Sequence, residues 1–103
     1  MATNNKIELA KLLADLRRTN RQQSGLNKKL TPISQADAYK VAHLVEKELG
    51  WDVGGWKIAA TNTQMQRALR TNSPIYGRVY SQFIAESPVE ISFDNLCSPI
   101  PEP

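Results

Sequence analysis

The apolar residues of this chain change their spacing once, near Gly50, and that change sets the class of fold. Before Gly50 they recur every three or four residues, which lines them up along one face of a helix. After it they alternate, which lines them up along one face of a strand. The pattern predicts an α/β chain: two amphipathic helices, then a small mixed or antiparallel sheet with one further short helix. One domain is expected over 1–103, helical over 5–49, strand-rich over 53–93 and extended over the tail 94–103.

The helical half carries its own punctuation. Asn5 is placed to cap the first helix, with Glu8 three residues on completing a box-like pair. Leu9, Leu12, Leu13 and Leu16 form its apolar stripe, and Gly25 is the expected stop after a polar run. Ser34 is the second cap, with Asp37 in the first turn where the helix dipole favours an acid. Ala38, Val41, Ala42, Val45 and Leu49 are the expected buried stripe, and Gly50 ends the helix. His43 falls off that stripe and reads as a surface residue.

Beyond Gly50 the sequence is Gly-rich, aromatic and β-branched. Trp51 to Thr61 reads as a turn into a strand. Thr61 or Asn62 caps a short helix carrying Met65, Ala68 and Leu69, which Ser73-Pro74 stops. Pro74-Ile75-Tyr76-Gly77 reads as a turn, and Val79-Tyr80 and Phe83-Ile84 as short strands. Val89 to Phe93 alternates cleanly and reads as a strand. Nothing obvious in the sequence covers its apolar face. The chain is therefore expected to self-associate or to bind another chain, since an unpaired edge invites pairing.

Composition narrows the function classes. The net charge is +3, with basic residues spread out except for Arg17, Arg18, Arg21 and the pair Lys28-Lys29. That is not the dense basic stripe of a nucleic-acid binder. No apolar run approaches a membrane span, and the amino terminus has no signal-peptide pattern. The single cysteine, Cys97, forms no internal disulfide and has no neighbour in sequence that would activate it. With His43 as the single histidine, a zinc site of His and Cys within one chain is excluded. A cytoplasmic protein without nucleic-acid or membrane partners is expected.

The strand Gly54-Gly55-Trp56-Lys57-Ile58-Ala59-Ala60-Thr61 holds the candidate chemistry. Alternation puts Gly55, Lys57, Ala59 and Thr61 on one side and Trp56, Ile58 and Ala60 on the other. A lysine among small residues has room beside it for a substrate. Its ammonium is a movable point charge, useful to an enzyme in a partly dry site. A lysine snorkelling into water from a strand end gives the same pattern.

The run from Ile33 to Pro103 resembles the amino-terminal region of the 2-keto-4-pentenoate hydratase family. That group includes the 4-oxalocrotonate decarboxylases and lies within the fumarylacetoacetate hydrolase superfamily. The similar features come in order: the helix Ala36 to Leu49, the strand Gly55-Trp56-Lys57-Ile58, Thr61 with Met65-Gln66, Pro74-Ile75-Tyr76-Gly77, and Pro101-Glu102-Pro103. The resemblance implies the amino-terminal domain of a larger hydratase-like fold. It implies a metal-dependent lyase that hydrates or decarboxylates 2-hydroxy-2,4-dienoate acids from aromatic degradation, with magnesium or manganese on a Glu-x-Glu pair and a later glutamate.

Under that resemblance Lys57 is the active-site lysine, which polarises bound oxyanions or shuttles a proton. Tyr76 and Gln66 are candidate substrate contacts, each equally suited to bonding a turn. Glu102 matches the first glutamate of the pair, with Pro103 in the middle position. The second and third carboxylates would follow. These 103 residues are thus expected to lack the metal-binding domain, to hold no ion and to be inactive alone. Ser81 and Gln82 stand where hydratases often carry an acid, and Ala59 stands where glycine is common. Hydration and decarboxylation both stay open. The alternative to a lyase fragment is a non-catalytic module that associates with a full-length partner.

Overall fold

The computed structural model describes residues 4–102. Its elements are α1 (Asn4–Arg18), α2 (Gln35–Leu49), β1 (Val53–Ala59), α3 (Thr63–Ala68) and β2 (Ile75–Tyr80), with single 3₁₀ turns at Ser81–Phe83 and Phe93–Asn95. Two compact units result: the chain up to Gly50 with the segment from Pro88 onward, and Trp51–Ser87. The first boundary falls where the hydrophobic spacing changes. Among the described residues the helices and one two-stranded antiparallel sheet bear out the mixed helix-and-sheet reading.

In the first unit α1 packs against α2. Leu9, Ala10 and Val41 form the buried centre, and Leu13, Leu30, Leu44 and Val45 close around it. The leucine stripe of α1 is used, but the positions most completely enclosed also include Ala10 and Ala14. Small residues at a helix contact bring the two axes close together. Lys6 meets Asp37 at 3.4 Å, and the Arg18 guanidinium donates to the Glu48 carbonyl.

Several expected boundaries move. Asn5 lies inside α1 and does not cap it, because the helix already runs from Asn4. The stop is Asn20, not Gly25. Asn20 takes a left-handed conformation (φ 52°), its N–H reaches the Arg17 carbonyl at 3.4 Å, and the Arg21 N–H reaches that of Leu16 at 3.0 Å. This pair of bonds satisfies the last carbonyls, and asparagine tolerates the left-handed region better than most residues. Ser34 and Gly50 cap α2 as expected: the Ser34 Oγ accepts the Asp37 N–H at 3.1 Å, and Gly50 is left-handed at φ 66°. Ala38 is exposed, however, and Leu44 joins Val45 and Val41 on the face turned to α1. His43 is exposed.

In the second unit β1 and β2 pair with Gly55 opposite Val79, Lys57 opposite Gly77 and Ala59 opposite Ile75. Pro74 to Gly77 is therefore no turn: it leads into β2. The reversal between the strands is made by α3 instead. Asn62 is the cap of α3, its Oδ1 accepting the Met65 N–H at 2.8 Å. The helix ends at Ala68, and Arg70 just beyond it is left-handed at φ 55°, before Ser73-Pro74 is reached. Again the bonds are those of a left-handed stop, with the Thr71 N–H on the Gln66 carbonyl at 2.9 Å.

Phe83-Ile84 forms no strand. The Ser81 N–H donates to the Asp52 carbonyl at 2.8 Å, and the chain then tightens into a 3₁₀ turn. Trp51 holds that turn edge-on, with ring centroids 5.6 Å from Phe83 and 5.5 Å from Tyr80. Val89 to Phe93 is not a strand either. It has no ladder partner, and Phe93 opens a 3₁₀ turn in the part of the chain expected to be strand or plain tail. A strand needs a neighbour to satisfy its backbone, and alternation in the sequence does not supply one.

Candidate functional site

Lys57 stands in the middle of β1, flanked along the strand by Trp56 and Ile58 on the other face. Residues directly opposite in an antiparallel pair share a face. Lys57 therefore shares its face with Gly55, Ala59, Ile75, Gly77 and Val79. Gly77, its cross-strand partner, has no side chain, and a Cβ placed there would meet nothing within 4 Å. The exposed lysine thus rises beside a floor of glycine and alanine. Ile84 bounds this floor at one end, its Cδ1 lying 3.9 Å from a Cβ placed on Gly55.

Ala59 ends β1. Ala60 follows in a left-handed conformation at φ 56° and is buried. That residue breaks the alternation, so Thr61 does not extend the lysine face as the spacing had suggested. The Gln66 side chain fastens the break, its Nε2 donating to the Ala60 carbonyl at 3.0 Å. Of the two roles open to Gln66, bonding the turn is the one this geometry displays.

Tyr76 lies opposite Ile58, on the reverse face of the sheet from Lys57. Its ring meets Trp56 edge-on at 5.8 Å, and the Arg78 guanidinium lies 5.2 Å from the centre of the Trp56 ring. With Ile58, Pro74 and Ile75 these two aromatic rings line an open apolar recess of about 340 Å³. A turn over Pro74 to Gly77 would leave Arg78 off this face. Once β2 is recognised, alternation puts 76 and 78 together.

Glu102 is exposed and belongs to the first compact unit, whereas Lys57, Gln66 and Tyr76 belong to the second. Among the described residues no three His, Cys, Asp or Glu side chains converge to hold an ion. Magnesium needs several fixed oxygen ligands, so the set on these residues does not by itself fit the metal that the resemblance implies. Cys97 is exposed, and its Sγ contacts the Asn20 carbonyl at 3.3 Å.

A second, smaller cleft of about 200 Å³ lies in the first unit, lined by Lys6, Lys29, Asp37 and the segment Leu30 to Ile33 among others. Its charged pair, Lys6 and Asp37, is satisfied internally. Among the described residues no helix is long and apolar enough to cross a membrane. No family model, no curated protein and no solved structure matches this chain.

Proposed function

We propose that this chain is the amino-terminal part of a metal-dependent lyase of the 2-keto-4-pentenoate hydratase and 4-oxalocrotonate decarboxylase family. Its substrate class is the 2-hydroxy-2,4-dienoate acids, and Lys57 is its active-site cation. The observation that supports this is the position of Lys57: exposed, mid-strand, beside Gly55, Ala59 and Gly77. A planar carboxylate substrate laid against Gly55, Ala59 and Gly77 would bring its oxygens within reach of the ammonium. An ammonium aimed at developing negative charge contributes roughly 3 kcal/mol to a transition state, about a hundredfold in rate. Magnesium or manganese would be held by Glu102 together with further carboxylates of the whole protein, which acts in the cytoplasm as a homo-oligomer.

The test uses the product of the whole gene. The expected result is magnesium-dependent loss of dienoate absorbance, reduced about a hundredfold by Lys57→Met with the melting temperature unchanged. Methionine keeps the apolar stem and removes the charge alone. Full turnover by a well-folded Lys57→Met protein would remove Lys57 from the active site.

A second reading has its own observation. Trp56, Ile58 and Tyr76 are all more than half exposed on the reverse face of the sheet, as an association surface would be. On that reading the chain is a non-catalytic assembly module. Coding sequence running on past Pro103 into a Glu-x-Glu pair favours the lyase, and its absence favours the module.

A further inference from the structure

The short helix α3 is bounded by strained backbone and fastened by one side chain. Among the described residues three other than glycine are left-handed, Asn20, Ala60 and Arg70, and the last two lie on either side of α3. Asparagine accepts that region readily; alanine and arginine enter it at a cost, and such residues gather at switch segments. α3 buries none of its residues, and Met65 and the capping Leu69 stand about half exposed. Among the described residues Gln66 is the one side chain of α3 with a hydrogen bond, donated to the Ala60 carbonyl at 3.0 Å. The apolar recess lined by Trp56, Ile58, Pro74, Ile75 and Tyr76 belongs to the same compact unit. Met65 and Leu69 do not line it in the position described.

We infer that α3 is a strap with two positions. One is the open position described. In the other it turns about Ala60 and Arg70 and lays Met65 and Leu69 on Trp56 and Ile58, closing the recess. The hinges stand where such a turn needs them: Ala60 follows closely on Ile58, and Arg70 comes shortly before Pro74. From Leu69 to Pro74 the extended chain spans at most roughly 18 Å, enough to cross a recess of about 340 Å³.

Opposing interactions make both positions accessible. Closure takes the exposed apolar side chains of Trp56, Ile58, Met65 and Leu69 out of water, and methionine adapts its shape to an aromatic surface. It also lets Ala60 and Arg70 leave the left-handed region. Against closure stand the Gln66 bond to the Ala60 carbonyl and the Thr71 N–H bond to the Gln66 carbonyl at 2.9 Å. The Gln66 amide is thus the latch of the open position, and a few hinge residues at the ends of an element absorb the change. A partner enters the recess in the open position alone. The strap needs neither Lys57 nor a substrate, so it goes beyond the proposed activity and stands independently of it.

The experiment reads the solvent access of Trp56 by acrylamide quenching, in a Trp51→Phe background that leaves one indole. Gln66→Ala removes the latch, and Arg70→Val makes the left-handed hinge costlier with the latch intact. Each is expected to lower the quenching constant about twofold as the strap closes. Adding Met65→Ser and Leu69→Ser is expected to restore the original value, because closure then buries little apolar surface. On the unaltered chain, where no substitution disturbs folding, nuclear Overhauser contacts are expected between the Leu69 methyl groups and the Trp56 ring. Unchanged or increased quenching in either variant, with the amide shifts of β1 and β2 retained, would overturn the proposal. So would a decrease that survives the two serines, or the absence of those contacts from the unaltered chain.

Discussion

Gly54 and Gly77 lie in the same pair of strands, and adding one methyl group to each is expected to have opposite consequences. A Cβ on Gly54 would lie 2.8 Å from the Ile84 Cδ1, 2.8 Å from the Ser81 Oγ and 3.0 Å from the Ser81 Cα. The first two atoms end movable side chains. The third is backbone, in a residue whose N–H bonds the Asp52 carbonyl at 2.8 Å. Relief therefore requires the start of the 3₁₀ turn to shift and strains the bond that closes the sheet. Overpacking of this kind costs about 1–3 kcal/mol, while replacing glycine returns about 0.4–1 kcal/mol by restricting the unfolded chain. The net expectation for Gly54→Ala is a loss of roughly 1–2 kcal/mol.

Gly77→Ala meets nothing within 4 Å and keeps the gain alone. It should be neutral or stabilising by about 0.5 kcal/mol. Urea denaturation followed by tryptophan emission reports on this unit, because Trp51 and Trp56 both belong to it. Equal midpoints for the two variants, or a less stable Gly77→Ala, would refute the packing account of β1 and its turn.

Two further stability changes follow from the helices. Leu9→Ala removes a large side chain that is only 2 % exposed, and should cost about 3 kcal/mol, read as a lower thermal midpoint with loss of helix signal. Arg70→Gly relieves a left-handed arginine at φ 55° and should stabilise by roughly 0.5–1 kcal/mol, read as a later urea midpoint.

Local chemistry was legible in the sequence wherever one or two residues decide the outcome. Ser34 and Gly50 bound α2 because a hydroxyl cap and a left-handed stop act over a single turn. Asn62, one of two candidates, caps α3 for the same reason. The alternation around Lys57 was also legible, since the period of a strand is a property of its backbone, and β1 sets Lys57 and Trp56 on opposite faces as that period requires. The exposure of His43 followed in the same way from the helical period.

What the tertiary structure decided was which backbone groups find partners. Gly25 was the expected stop of α1, but the Asn20 and Arg21 bonds back to the helix end it earlier, at Asn20. Ile75 to Tyr80 became a strand and Val89 to Phe93 did not, although the second alternates more cleanly, because the first lies opposite β1. The same pairing carried Tyr76 to the face opposite Lys57 and placed Arg78 over Trp56. A helix satisfies its own hydrogen bonds, so its sequence largely specifies it. A strand makes its ladder hydrogen bonds with a segment elsewhere in the chain, and no local pattern names that segment.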